Sequence, residues 1–328
     1  MDFARIISQA LGELIAPTTA AYALAAIGLN IHFGFTGLLN MGQAGFMLLG
    51  AYGFAIATIE GAPLWMALLI ALALGAAFAL LLGIPTLKLR GDYLSIVTIS
   101  AAEIIRMVGR STIFDKWTGG SSGLTGNSFK ADFQALSPLP NGTTTLGPWS
   151  YANNGSDSWW LRIVAWSLVL LAVLLVWLLT RSPWGRVLKG IREDEDAVRA
   201  LGKNVYGYKM QALVLGGVLG SLAGIIYVLP RAVQPDAMGR TTTFWVWTVL
   251  LLGGAASVFG PMLGSMIFFT LYMVVRSGIR VAAPEAILSS SQVEQLGGML
   301  VGVVLMLLVI FRPQGIMGNK KELAFDGH

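Results

Sequence analysis

The chain contains no cysteine in 328 residues, which excludes disulfides, thiolate nucleophiles and sulfur-ligated metal. Its two histidines, His32 and His328, are too few for a histidine-based centre, and neither a metal nor any other cofactor is expected. No H-E-x-x-H occurs. The one Gly-Lys pair, Gly202-Lys203, is followed by Asn204. The G-x-x-x-x-G-K-[ST] loop that cradles phosphates is therefore missing, and this chain does not bind nucleotide by that route. Charge is scarce too: Asp, Glu, Lys and Arg make up 12% of the residues, about half of what a soluble domain carries.

What fills the chain is apolar. Mean hydropathy is +0.70 and 55% of residues are hydrophobic. Several runs approach the ~20 residues that cross a bilayer as helix. They do not alternate polar and apolar, as the strands of a membrane barrel would. The fold class expected is an all-α polytopic membrane protein, a single transmembrane domain over 1–328. About nine spans are expected, at 14–33, 38–58, 64–84, 93–109, 161–180, 210–229, 244–259, 262–279 and 295–311. Some are short or broken: 93–109 contains Glu103 and Arg106, and Pro261 with Gly253, Gly254 and Gly260 divides 244–279. Broken helices survive at membrane depth only when buried in protein or lining a wet cavity.

The net charge of +5 and pI near 9.5 do not indicate nucleic-acid binding. The basic residues stand mostly at span ends, where they meet lipid headgroups and set orientation. The polar segment 181–209 carries seven Lys or Arg, which places it in the cytoplasm with Lys88, Arg90, Arg312, Lys320 and Lys321. Counting spans outward puts the N-terminus outside and the C-terminus inside.

No cleavable leader is expected. Residues 1–13 instead form an amphipathic segment, with Phe3, Ile6, Ile7, Ala10 and Leu11 on one face and Asp2, Arg5, Gln9 and Glu13 on the other. Such a helix suits the membrane surface. Residues 110–160, rich in Gly, Ser, Thr and Asn, form an outer loop ending in Trp159-Trp160, an interfacial belt. Within the spans, Gly216, Gly220 and Gly224 recur every fourth residue, as do Gly260/Gly264 and Gly298/Gly302. Small residues at this spacing let helix backbones approach closely.

Three groups of residues are candidates for chemistry. Gly120-Ser121-Ser122-Gly123 resembles the nucleophile motif of rhomboid intramembrane proteases, but that chemistry needs a base histidine on a later span, and only His32 and His328 exist. Glu103 and Arg106 can pair at i, i+3. As an ionisable group within a span, Glu103 is a candidate for the substrate path or, in an ion-coupled secondary transporter, for the carrier. Asn30, His32, Asn40 and Gln43 cluster around the first tight connection. Their amides suit a zwitterionic or amide solute, and equally suit hydrogen bonds between helices.

The densest charge is Glu193–Asp196 in IREDEDAVRALGKN (191–204). These acids fit the first turn of a short helix, with Glu195 and Arg199 paired at i, i+4 and Gly202 as the left-handed residue that ends it. Ile191, Val198, Leu201 and Val205 form an incomplete apolar stripe. A charged, partly apolar helix in a cytoplasmic loop has the form of a docking element.

This loop, together with GLNIHFGFTGLLNMGQAGFMLLGAY (28–52), TGGSSGLTG (118–126) and FRPQGIMG (311–318), resembles the M-type permease subunits of bacterial branched-chain amino-acid ABC importers. The stretches occur in family order and cover nearly the whole chain. The resemblance implies an ABC importer permease fold, multi-pass in the bacterial inner membrane, with no catalysis of its own. It implies half of a pore completed by a second, H-type permease. Two ATP-binding cassette subunits would sit on the cytoplasmic face, and a periplasmic binding protein would deliver Leu, Ile or Val. Segment 181–209 then becomes the coupling loop, with Glu193, Asp196, Ala197, Leu201 and Gly202 meeting an ATPase. Urea-type ABC permeases share much of the pattern, so urea or another small solute is the alternative.

Overall fold

A computed structural model describes residues 3–88, 91–125, 129–147, 149–282, 289–311 and 314–318. Asp2, Arg90, Gly126, Arg312, Lys320, Lys321 and His328, and the side chains of Phe3 and Arg5, lie outside what it describes.

The chain is helical almost throughout. Helix α1 (Phe3–Leu14) turns into α2 (Pro17–Asn30), which runs on as a π-helical segment, Ile31–Phe35. Then follow α3 (Gln43–Ile59), α4 (Leu64–Thr86) and α5 (Gly91–Arg110). The polar segment after α5 holds two short helices, α6 (Asp115–Thr118) and α7 (Ala131–Ala135), and a hairpin of β1 (Thr143–Leu146) with β2 (Trp149–Ala152). Next come α8 (Trp159–Arg181), α9 (Pro183–Glu193), α10 (Glu195–Ala200) and α11 (Val205–Val228). The chain closes with α12 (Arg240–Gly253), α13 (Gly260–Ala282) and α14 (Ser290–Phe311).

Among the described residues, helices α4, α8, α11 and α13 are each long and apolar enough to cross a membrane, and the pair α1/α2, bent by 41°, makes up to five. Helix α5 has the length, but Asp92, Glu103, Arg106 and Arg110 fall within it. Helix α3 is apolar yet has 17 residues, about 25 Å at 1.5 Å per residue, short of the ~30 Å hydrocarbon thickness.

The core is built on α11, which packs against α2, α3 and α4. Its glycines make this approach possible. A Cβ on Gly224 would run into the Met47 carbonyl of α3, and one on Gly216 would meet the Gly28 carbonyl of α2 and the His32 ring. Gly302 of α14 repeats the same spacing but has nothing within 4 Å. Helix α1 leans on α13.

The structure corrects several expected boundaries. The expected span 38–58 is helical only from Gln43, and the non-helical approach is buried, with Leu38 and Asn40 at 5% and 0% exposure. The expected break in 244–279 falls among the glycines named for it, between Gly253 and Gly260, and Pro261 itself takes no part in it. That proline lies in the first turn of α13, where its missing N–H costs nothing, and the irregular stretch is Gly254–Phe259. There Gly254 has φ +110° and Ala256 φ +63°. Nor do the four acids share one helical turn: Glu193 ends α9, and Asp194, extended at φ −152°, starts α10 as its cap.

Candidate functional site

Within segment 181–209, residues 183–200 form two capped helices at one end of the bundle. Ser182 caps α9 and Pro183 occupies its first turn, a favoured start. Asp194 Oδ1 accepts from Ala197 N at 2.9 Å to cap α10. The end of α10 is a Schellman turn: Gly202, at φ +75°, donates from N to Arg199 O at 3.0 Å, and Lys203 N donates to Val198 O. Arg199 pairs with Glu195 at 2.8 Å and Asp196 at 2.7 Å, and Lys209 of α11 also pairs with Glu195. Leu188, Ile191, Val198 and Val205 are buried beneath, which fixes the helices to the bundle.

Leu201 departs from the expected stripe. It is 79% exposed, on a rigid turn, with Glu193, Asp196, Ala197 and Gly202 also exposed. An exposed leucine held by a glycine-ended helix is what a protein cleft can grip. From the same unit Arg192 reaches inward, and its Nη1 donates to the Gly34 carbonyl in the π-helical segment.

Asn30, His32, Asn40 and Gln43 are each at most 1% exposed, and the last three meet in one network. Asn40 Nδ2 donates to His32 Nδ1 at 3.1 Å and to Gln43 Oε1 at 2.9 Å, while its Oδ1 accepts from Gly42 N at 2.8 Å. His32 Nε2 lies 3.0 Å from Leu213 O. A carbonyl only accepts, so the network assigns the proton to Nε2 and leaves Nδ1 as acceptor. Gln43 Nε2 donates to Ala25 O at 3.2 Å and Gly216 O at 3.5 Å. Asn30 turns the other way: its Nδ2 donates to Ser257 O at 2.7 Å and its Oδ1 accepts from Ala256 N at 2.9 Å. The interhelical use of these amides is therefore realised, and every amide hydrogen of Asn40 and Gln43 has a partner in the chain.

The network extends to residues the sequence reading passed over. Helix α3 begins inside the bundle, where its first N–H groups need acceptors. Thr98 of α5 accepts from Met41 N, and Thr243 of α12 from Ala44 N, each at 3.0 Å. Trp247 Nε1 donates to Asn40 O at 3.0 Å. Threonines and a tryptophan inside apolar runs were the available signal.

Glu103 lies apart from these four, toward the opposite end of the bundle. It takes Arg106 Nε at 3.1 Å and lies 3.9 Å from Arg240 Nε. Arg106 also holds Asp236, which Arg110 approaches at 3.7 Å. Acids and arginines from α5, α12 and the turn before α12 thus tie this end together, and Leu124 and Val233 pair their backbones beside it. The Ser122 turn belongs to that end too. His32 is engaged with Leu213 and Asn40, so among the described residues no histidine is available to that serine.

Long apolar helices around a buried polar knot define a multi-pass membrane protein. The chain belongs to the branched-chain amino acid transport system / permease component family, whose model matches residues 13–309. It is 32% identical over 310 residues to the LivM permease protein of the high-affinity branched-chain amino acid transport system of Escherichia coli, covering 92% of this chain and 69% of that one. A probable branched-chain amino acid transport permease protein LivM of Methanocaldococcus jannaschii is 24% identical, with 91% of each chain covered. The LivH permease protein of Salmonella typhimurium, from the same kind of system, is 25% identical over 92% of each. No solved structure matches.

Proposed function

We propose that this chain is one half of the translocation pore of an ATP-driven importer for leucine, isoleucine and valine, seated in a bacterial inner membrane with about nine spans. A second, H-type permease completes the pore, two ATPase subunits bind the 183–209 end, and a periplasmic binding protein meets the opposite end. The chain performs no catalysis itself. The observation that carries this reading is the docking unit: Leu201 stands exposed on a rigid turn, while Arg192 of the same unit holds the Gly34 carbonyl.

Displacement of α9 and α10 by an ATPase therefore pulls on the π-helical segment, and through His32 on α3 and α11. Such segments are short of ideal hydrogen bonding and often mark places that move. Asn30, His32, Asn40 and Gln43 position the helices that line the path, and the Glu103 cluster closes the outer end. An ion-coupled carrier reading would require Glu103 to leave its arginines.

The test is labelled leucine uptake in cells lacking the chain and in cells with it restored, with unlabelled isoleucine, valine and urea as competitors. Uptake restored by the chain and suppressed by valine supports the reading. Uptake indifferent to the chain, or suppressed by urea and not valine, overturns the branched-chain assignment.

A further inference from the structure

A cavity of about 1120 Å³ lies at the end opposite the coupling unit, between α1, the start of α2, the end of α11, and α12 to α14. Small-molecule sites run to roughly 300–1,000 Å³, so it has room for a small solute with water. One wall is charged. Arg231 is held only by neutral hydroxyls, donating to Tyr227 Oη at 3.0 Å and Thr18 Oγ1 at 2.9 Å. Among the described residues no carboxylate pairs with it. Glu13 faces the same space, half-buried, and among the described residues its carboxylate has no ion-pair partner within bonding distance. Arg162, by contrast, is already engaged with Asp157 at 3.0 Å and stacked 3.4 Å over Tyr151.

The other wall is aromatic. Tyr22 and Phe269 pack with ring centres 4.8 Å apart, and Trp245 and Tyr272 at 5.3 Å. Arg231 and Glu13, each without a bonded counter-ion among the described residues, and an apolar face around a single cavity, which Arg276 also lines, match a molecule that carries both charges and a hydrocarbon group.

We propose that this cavity binds an α-amino-acid zwitterion with an apolar side chain, its carboxylate on Arg231, its ammonium on Glu13 and its side chain against Trp245 and Phe269. The charges explain why both ends of the solute are required, since burying either ion unpaired is costly. Arginine offers a carboxylate two parallel donors. The aromatic wall accepts leucine, isoleucine or valine without distinguishing sharply among them, because one methylene changes binding only about 10–200-fold. The occupant named here rests on the importer reading above; the site itself rests on the cavity.

The experiment uses a diazirine analogue of leucine. Membranes carrying the full-length chain are irradiated with it, and the labelled peptides are mapped by mass spectrometry. Label is expected in 227–245 and 269–273, displaced by leucine but not by 4-methylpentanoate, which lacks the ammonium, or by isoamylamine, which lacks the carboxylate. Arg231→Gln and Glu13→Gln should each cut labelling about tenfold, the equivalent of roughly 1.4 kcal/mol, and Arg231→Lys should restore part of it.

Label elsewhere, or displacement by 4-methylpentanoate as readily as by leucine, overturns the proposal. So does phosphatidylethanolamine retained by the wild-type chain in native mass spectrometry and lost in Arg231→Gln, which would make the occupant a lipid headgroup. These outcomes with chain-dependent leucine uptake intact leave the importer reading standing. Loss of chain-dependent uptake would strike that reading instead.

Discussion

The side-chain amide of Asn30 brackets the peptide link before Ser257, accepting from Ala256 N at 2.9 Å and donating to Ser257 O at 2.7 Å. Ala256 stands at φ +63°, a conformation that costs a residue with a Cβ about 1–2 kcal/mol. The bracket holds it there. A residue at the end of α2 thereby fixes the turn between α12 and α13, 227 positions on.

Asn30→Leu removes both bonds and leaves buried backbone groups unsatisfied, at about 1–3 kcal/mol each. Heat or denaturant unfolding in detergent should show a clear loss of stability. Ala256→Gly should act oppositely, adding up to about 1 kcal/mol by relieving the left-handed strain. A stable Asn30→Leu protein would refute the bracket.

Two glycines with the same spacing should respond differently. Gly224→Ala drives a methyl into the Met47 carbonyl and should destabilise by about 1–3 kcal/mol, as overpacking does. Gly302→Ala meets open space and should stay within about 0.5 kcal/mol of the parent. Folded yield and unfolding midpoint measure both.

Leu201→Asp should leave membrane insertion and unfolding unchanged, since the side chain is 79% exposed, yet abolish uptake and the co-purification of ATPase subunits. At Gly202 the backbone itself is at issue. Asparagine tolerates φ +75° and valine does not, so Gly202→Asn should keep the turn and Gly202→Val should lose it. Unimpaired uptake by Leu201→Asp would remove the docking role.

Arg192→Met keeps the stem that packs against Gly37 but deletes the bond to Gly34. ATPase subunits should still co-purify, with hydrolysis running on while uptake falls at least several-fold. A parallel fall in both would mean that Arg192 serves docking rather than transmission.

The apolar spans were legible because membrane length imposes a run that composition cannot hide, and α4, α8, α11 and α13 are where the runs said. The break after α12 was legible in Gly253, Gly254 and Gly260, which bound it, whereas Pro261 starts a helix rather than ending one. The turn at Ala256 was not, since nothing in an alanine announces a left-handed backbone. Asp194 split the acidic block because a capping carboxylate prefers extended backbone to a helical turn. Asn30, His32, Asn40 and Gln43 were visible as polar residues in apolar surroundings. Their partners were not, since the carbonyls of Ala25, Leu213, Gly216 and Ser257 carry no side-chain signature.

The stretch after α12 is also held from the far end of the chain. Ile316 N donates to Leu252 O at 3.0 Å and Met317 N to Gly253 O at 2.9 Å. The turn that Asn30 grips from one side is therefore strapped from the other by residues that follow α14. Without that strap the carbonyls of Leu252 and Gly253 would lose their donors and be left unsatisfied. A chain truncated after α14 should therefore still insert, but unfold at a lower midpoint than the parent.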